Sequence, residues 1–252
     1  MATKQLQLSI IIPTLNEETH IQNILYDIIN SSSLTHSYEI IVSDSGSRDQ
    51  TKAMVRSIQK QYPNISLKFF TAVKKGVSIA RNTGAAQAKG TYLMFLDADS
   101  RIAQDFLTKN LKEMLHRKLD IGGCYAIPDC HNWLDNFLFS VVNNFCLRGL
   151  QYTPKPMALG AAILTKASMH HRIGGFDKDI PFGEDVEYVT EAKKIGRFRM
   201  LNSRPVIFSM RRGEKEGRFQ LVGKAVTGFV YHLFHRSMKN IHVVYKFGNY
   251  NK

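Results

Sequence analysis

Three clusters of polar residues in this 252-residue chain carry side chains able to do chemistry. The first is Asp97-Ala98-Asp99, directly after an apolar run that ends in Phe95-Leu96. Two carboxylates one residue apart at a strand end can set an oxygen on a hard divalent cation while leaving positions for water and substrate phosphates. A cation held there would neutralise charge on a departing diphosphate. Asp-x-Asp also occurs in plain solvated turns, so the tripeptide gains weight only from its surroundings. The second cluster centres on Asp44, in IIVSDSGSRDQT. Ser45, Gly46 and Ser47 are small enough to let a ring approach while the acid accepts hydrogen bonds from a base or ribose; a simple turn acid is the alternative. Asp49 reads as a cap for the next helix. The third cluster is Arg211-Arg212, in SMRRG. Paired guanidiniums can hold phosphate oxygens in bidentate fashion, on a donor diphosphate or an anionic acceptor, or lie solvated at the surface.

These groups need elements that bring them together. Residues 6–13 (LQLSIIIP), 38–44 (YEIIVSD), 66–72 (SLKFFTA) and 91–97 (TYLMFLD) are short, β-rich apolar runs that end at polar or turn-forming residues. They read as buried parallel strands. Between them the apolar period is helical. Ile21, Ile24, Leu25, Ile28 and Ile29 mark one face of a first helix, with Asn16 as its N-cap and Glu17 and Glu18 in its first turn. Further helices are expected over 50–62 and, after Gly76, over 77–88. Strand and helix alternate three times before Asp97, which predicts an α/β fold with a doubly wound, mostly parallel central sheet flanked by helices. Such sheets bind ligands beyond the carboxyl ends of their strands. Thr14 to Glu17, Asp44 to Asp49 and Asp97 to Asp99 all fall there. Beyond Asp99 the pattern loosens. A helix near 103–117 leads to a Gly-rich stretch (IGGCYAI), an aromatic amphipathic segment over 131–149 and a strand-like run over 157–165. A Gly-Gly-Phe turn, an acidic loop and a helix occupy 174–195, an extended run 198–210, and a basic amphipathic helix 217–238.

Five runs, IIPTLNEE, DSGSRDQT (44–51), GVSIARNTGAAQAKGTYLMFLDADS (76–100), GGFD (174–177) and GEDVE (183–187), resemble in order and spacing the motifs of family 2 glycosyltransferases with the GT-A fold. The resemblance covers about residues 8–212; each motif alone is weak, and five in register are specific. It implies an inverting transfer of a sugar from a nucleoside diphosphate sugar to an acceptor hydroxyl, aided by Mg2+ or Mn2+. By the same resemblance Pro13, Thr14, Asn16 and Glu17 match the first nucleotide loop, and Asp44 the acid that holds the base. Asp97 and Asp99 match the Asp-x-Asp, with Asp99 the direct metal ligand and Asp97 its support. Lys75 and Arg81 fall where family members approach base and phosphates, and Arg211 and Arg212 where an arginine pair closes the catalytic region in some of them. Asp185 matches the general base. A carboxylate near a helix N-terminus can take a proton from an attacking hydroxyl, and the helix end is expected to keep its pKa low. Glu184 belongs to the same catalytic pair, or is, like Glu187, a helix-start acid.

Charge and composition narrow the classes. The net charge is +13, and residues 193–252, with 14 Lys/Arg and 2 Asp/Glu, account for +12 of it. A concentrated positive field attracts nucleic acid, an anionic membrane or a diphosphate. The tail holds no nucleic-acid recognition motif, so nucleic acid is set aside as a partner. No G-x-G-x-x-G follows the first strand, which disfavours a dinucleotide-dependent dehydrogenase. Gln-x-x-Arg-Trp is absent and Trp133 is the sole tryptophan, which disfavours a processive polysaccharide synthase. A non-catalytic module binding a nucleotide sugar or anionic lipid is the competing class; intact Asp99 and Asp185 argue against it. Cys124, Cys130 and Cys146 lack paired spacing and read as buried thiols of a reducing compartment. No apolar leader and no uncharged run of about 18 residues is present, so a cytoplasmic protein, free or on the inner face of a membrane, is expected. The division expected is a catalytic domain over 1–212, with a nucleotide-binding half (1–100) and an acceptor half (101–212), followed by a basic helical extension over 213–252. That extension's helix would either lie in a membrane interface or pack on the domain. NWLDNFLFSVVNNFCL (132–147) hints at a lipid-like acceptor, although a core helix would look the same.

Overall fold

The computed structural model describes residues 7–31, 38–130, 132–211, 217–235, 237–239 and 241. Its strands are β1 (Leu8–Thr14), β2 (Tyr38–Asp44), β3 (Leu67–Thr71), β4 (Tyr92–Leu96), β5 (Ile121–Pro128), β6 (Ala162–Lys166) and β7 (Phe198–Phe208). The helices are α1 (Ile21–Asn30), α2 (Thr51–Gln61), α3 (Val77–Ala86), α4 (Phe106–His116) and α5 (Trp133–Val141). After α5 the helix runs on through a π-helical stretch (Val142–Leu147) into α6 (Arg148–Leu150), followed by α7 (Ala167–Arg172), α8 (Glu184–Ile195) and α9 (Arg218–Phe234).

The strands form one sheet in the order β3-β2-β1-β4-β6-β5-β7. The alternation of side chains along each strand sends its aliphatic residues to both faces. Ile10, Ile12, Ile40, Val42, Met94 and Leu96 pack with α1, α2 and α4. Ile11, Ile41, Leu93 and Phe95 pack on the other face with α3, α7 and α8. Each such fully buried side chain contributes about 1.5–3 kcal/mol of burial energy, which is why near-continuous apolar runs mark the strands. After β3 the chain crosses back to lay β4 beside β1, so the strand order reverses between β1 and β4. The ends of these two strands, Thr14 and Leu96, therefore flank the position where open α/β sheets bind ligands.

The mostly parallel sheet is as expected, and the structure adds the direction of one strand and corrects the role of Asn16 and the burial of two cysteines. Strand β6 runs antiparallel to both β4 and β5, while β5 and β7 pair in parallel; apolar periodicity carries no information about strand direction. Because β6 is reversed, the segment ahead of it reaches the same rim as the ends of β1, β2 and β4. Asn16 does not cap α1, which begins at Ile21 with His20 in the N-cap position. Asn16 instead sits at φ 56°, a left-handed conformation that asparagine tolerates. Its side-chain oxygen accepts the Arg48 N–H, and Glu17 and Glu18 precede the helix. Of the cysteines, Cys124 is buried as expected, whereas Cys130 and Cys146 are half-buried.

The basic helix α9 docks on the body at its C-terminal end. Lys155 Nζ donates to the carbonyls of His232, Leu233 and His235 at 3.0, 2.6 and 3.1 Å, satisfying a helix terminus that would otherwise lack donors. Met238 and Ile241 then pack on Ile180. No helix among the described residues is long and apolar enough to cross a membrane.

Candidate active site

Two loops at the sheet rim lock together first. Thr14 and Asp44 are partners at the parallel ends of β1 and β2. The buried Asp44 carboxylate accepts hydrogen bonds from Thr14 Oγ1 (2.9 Å), Ser47 Oγ (2.5 Å) and the backbone N–H groups of Gly46 and Ser47 (3.0 and 2.9 Å). Asn16 N–H donates to Ser47 Oγ, Glu17 N–H to Thr51 Oγ1 and Glu18 N–H to Asp49 Oδ2. Asp49 also accepts from Thr51 N–H at the start of α2. The short polar side chains of 44–51 thus set the backbone of 14–18, and Asp44 organises its own loop with four bonds. Pro13 is buried in β1 beneath this rim.

Two arginines join the acids beyond β4. Arg81, on α3 and 2% exposed, donates to Glu184 Oε1 at 2.8 Å, to Asp97 Oδ1 at 2.9 Å and to the Gly160 carbonyl at 3.2 Å. Its guanidinium lies 5.1 Å from the centre of the Phe176 ring. Burial opposes the charge, but Asp97, Glu184 and Asp185 around it raise its pKa further above the usual arginine value. Arg211 gathers a second group, with Nη2 at 3.1 Å from both Glu17 Oε1 and Asp99 Oδ2, and Nη1 at 3.2 Å from His20 Nδ1. Arg81 therefore ties Asp97 to the start of α8, and Arg211 ties Asp99 to Glu17 in the loop after β1.

Asp185 stands in the first turn of α8, whose N-cap, Gly183, has φ +81°. That positive φ favours glycine, which has no Cβ to strain. Half-buried Asp185 accepts the Gly160 N–H at 2.6 Å and the Val186 N–H at 2.9 Å. Burial first, and then the adjacent Glu184 carboxylate, push its pKa up to about 7; Arg81 and the two N–H groups hold it back. The low pKa expected from the helix end is thus overturned, because desolvation and a like charge outweigh the helix terminus. A carboxylate poised near neutrality is a competent proton acceptor at ordinary pH.

The structure brings Thr14, Asn16, Glu17 and Asp44 into one loop pair, and Asp97, Asp99, Arg81, Arg211, Glu184 and Asp185 into two linked acid–arginine groups. Lys75 is exposed on the loop before α3 and has no hydrogen bond or ion pair among the described residues. Arg212 lies outside the described residues. Two participants lie outside the residues expected from the sequence. Gly160 donates to Asp185 and accepts from Arg81, and a Cβ on it would lie 2.7 Å from Arg81 Nη2. Asn82, next to Arg81, clamps the Gly-Gly-Phe turn by exchanging two hydrogen bonds with Phe176. The ARN triplet was a usable signal for Asn82; Gly160 looked like part of a strand.

No group of three or more side chains able to ligate a metal occurs among the described residues. Asp97 and Asp99, with side chains 28% and 18% exposed, offer two hard carboxylates, and Asp99 Oδ1 has no partner among the described residues. Such a sparse oxygen set fits a divalent cation that keeps water and substrate phosphates as its other ligands.

Comparison with known proteins agrees with this fold. The family model described as glycosyl transferase family 2 matches residues 9–174. An uncharacterized glycosyltransferase of Haemophilus influenzae is 36% identical over 123 residues, covering 48% of each chain. The GalNAc(5)-diNAcBac-PP-undecaprenol beta-1,3-glucosyltransferase of Campylobacter jejuni is 31% identical over 124 residues, 49% of this chain and 38% of that one. The aligned part thus spans half or less of these curated relatives' own length. Among solved structures, the mannosyltransferase PcManGT from Pyrobaculum calidifontis, in complex with GDP-Man and Mn2+, superposes with a TM-score of 0.68 at 22% identity, covering 87% of this chain and 64% of that one. With the model matched over well more than half of its length and the sheet superposing on this architecture, the chain belongs to glycosyl transferase family 2 and has the GT-A fold.

Proposed function

We propose that the chain is an inverting glycosyltransferase that moves a sugar from a nucleoside diphosphate sugar to a hydroxyl of a lipid-linked acceptor. The observation that carries this reading is Asp185, a half-buried carboxylate whose pKa is pushed up to about 7 and which Gly160 fixes beside the Arg81–Asp97 pair. Asp185 takes the proton of the acceptor hydroxyl as its oxygen attacks the anomeric carbon and the bond to the diphosphate breaks. The 13–17 loop and the Asp44 turn hold the nucleoside, with Lys75 and Arg211 toward the phosphates. Asp99, with Asp97 beside it, would hold Mg2+ or Mn2+, whose charge stabilises the leaving diphosphate. The complex of PcManGT with GDP-Man and Mn2+ supports the donor class and the metal. The undecaprenol-linked name of the Campylobacter relative supports the acceptor class.

The test is Asp185→Asn. Binding of uridine, guanosine and thymidine diphosphate sugars with Mn2+, followed by thermal shift, should match the wild type, and transfer to a lipid-linked saccharide should vanish. Full turnover in this variant would remove the base from the scheme.

A further inference from the structure

Helix α5 and its π-helical continuation leave a row of large apolar side chains in the open. Trp133, Phe137, Val141 and Phe145 follow at four-residue steps and are 77%, 58%, 37% and 75% exposed. Tyr152, just past α6, is 69% exposed. Residues four apart share one side of a helix. Each such step overshoots a turn of 3.6 residues slightly, and the wider π turn around Phe145 takes back part of that drift.

The other side of the same helix is fastened. Asn132 caps it through the Leu134 N–H, Asn143 exchanges hydrogen bonds with both backbone groups of Ala126 in β5, and Leu147 is buried in the core. The row is therefore a fixed surface on an anchored helix. Isolated apolar residues are normal on a protein surface; four in line, three of them aromatic, mark a contact site.

Charge and residue type select the occupant. Two arginines lie near the row's C-terminal end: exposed Arg148, three residues after Phe145, lies 5.4 Å from the centre of the half-buried Tyr125 ring, and Arg199 lies 4.9 Å from that of exposed Tyr152. The chain carries +13, of which +12 falls in residues 193–252, Arg199 among them. Like charge of that size opposes a second copy of the chain and favours an anionic surface. Tryptophan and other aromatic rings settle at the headgroup level of a bilayer, with cations beside them at the phosphates. We propose that the α5 row docks the protein on an anionic phospholipid surface, the aromatic side chains entering the headgroup region and the flanking arginines meeting lipid phosphates. Helix α9 carries a shorter exposed row, Val226, Val230 and Phe234. The inference stands apart from the transfer reaction, since docking is read without turnover.

Trp133 is the only tryptophan in the chain, so its emission reports on this face alone. Vesicles mixing phosphatidylglycerol with phosphatidylcholine should shift that emission to the blue, lipids brominated on their acyl chains should quench it, and phosphatidylcholine alone should do neither. The double variant Phe137→Ser/Phe145→Ser keeps the reporter and alters only exposed positions, with far-UV circular dichroism as the check on folding. Its partitioning onto the anionic vesicles should fall about tenfold or more. An unshifted emission with anionic vesicles, or equal partitioning of the double variant, would overturn the proposal. So would a blue shift that grows with protein concentration in the absence of lipid, which would make a second copy the cover.

Discussion

Replacing Arg81 with methionine probes the acid network at its centre. Methionine keeps much of the apolar packing against Phe176 but removes the cation that pairs with Glu184 at 2.8 Å and Asp97 at 2.9 Å. Stripping one partner from a buried ion pair costs about 3–5 kcal/mol. Since the Asp97 and Glu184 side chains keep 28% and 12% of their exposure, water recovers part of that loss, and the lower end, about 3 kcal/mol near pH 8, is expected. The pH dependence has a definite sign. The folded pKa of Asp185 is raised from 3.8 to about 7, so the stability linked to it is fully present below pH 3.8 and is lost as pH climbs through about 7. Without Arg81 the restraint on Asp185 disappears and its pKa moves higher. The folded variant then holds its proton to higher pH, stability falls more steeply with pH, and the deficit relative to wild type narrows as pH drops toward about 5. Urea unfolding followed by circular dichroism across this range measures the effect. A deficit under about 1 kcal/mol near pH 8, or one that widens on acidification, would refute the reasoning. Arg81→Lys should recover only part, because one ammonium cannot span two carboxylates and a carbonyl as the guanidinium fork does.

Gly160→Ala would set a methyl 2.7 Å from Arg81 Nη2 and 3.1 Å from Asp185 Oδ2. A stability loss of about 1–3 kcal/mol is expected from the overpacking, with transfer down about tenfold or more from a displaced base and donor binding unchanged; wild-type melting and turnover together would show the contact to be idle. The rate should also report Asp185 directly. As its carboxyl takes up a proton, kcat/KM should fall about tenfold per pH unit below about pH 7, and a profile flat from about pH 5 to 8 would exclude this group as the base.

The strands and the first helices are legible in the sequence because buried parallel strands need near-continuous aliphatic runs and helices need a one-sided stripe. Ile10, Ile11 and Ile12 in β1, and Ile21, Ile24 and Ile28 in α1, satisfy both rules. Loop chemistry was legible as composition and not as connection. Asn16 stands before an apolar stripe, as an N-cap would, yet its side chain serves Arg48 in a loop remote in sequence. The direction of β6, the link from Arg81 to Glu184 across 103 residues, and the raised pKa of Asp185 depend on tertiary proximity, which no local spacing encodes. Gly160 carries no local signal for the same reason, since its importance lies in what surrounds it.

Strand β6 enters the sheet at the rim where β1, β2 and β4 leave it, with Ala162 paired to Leu96. Loops from two halves of the chain thus face one another without sharing a backbone segment. A longer or rewritten stretch upstream of Leu159 would leave the parallel ladder of β1, β2 and β4, and the loops it carries, in register.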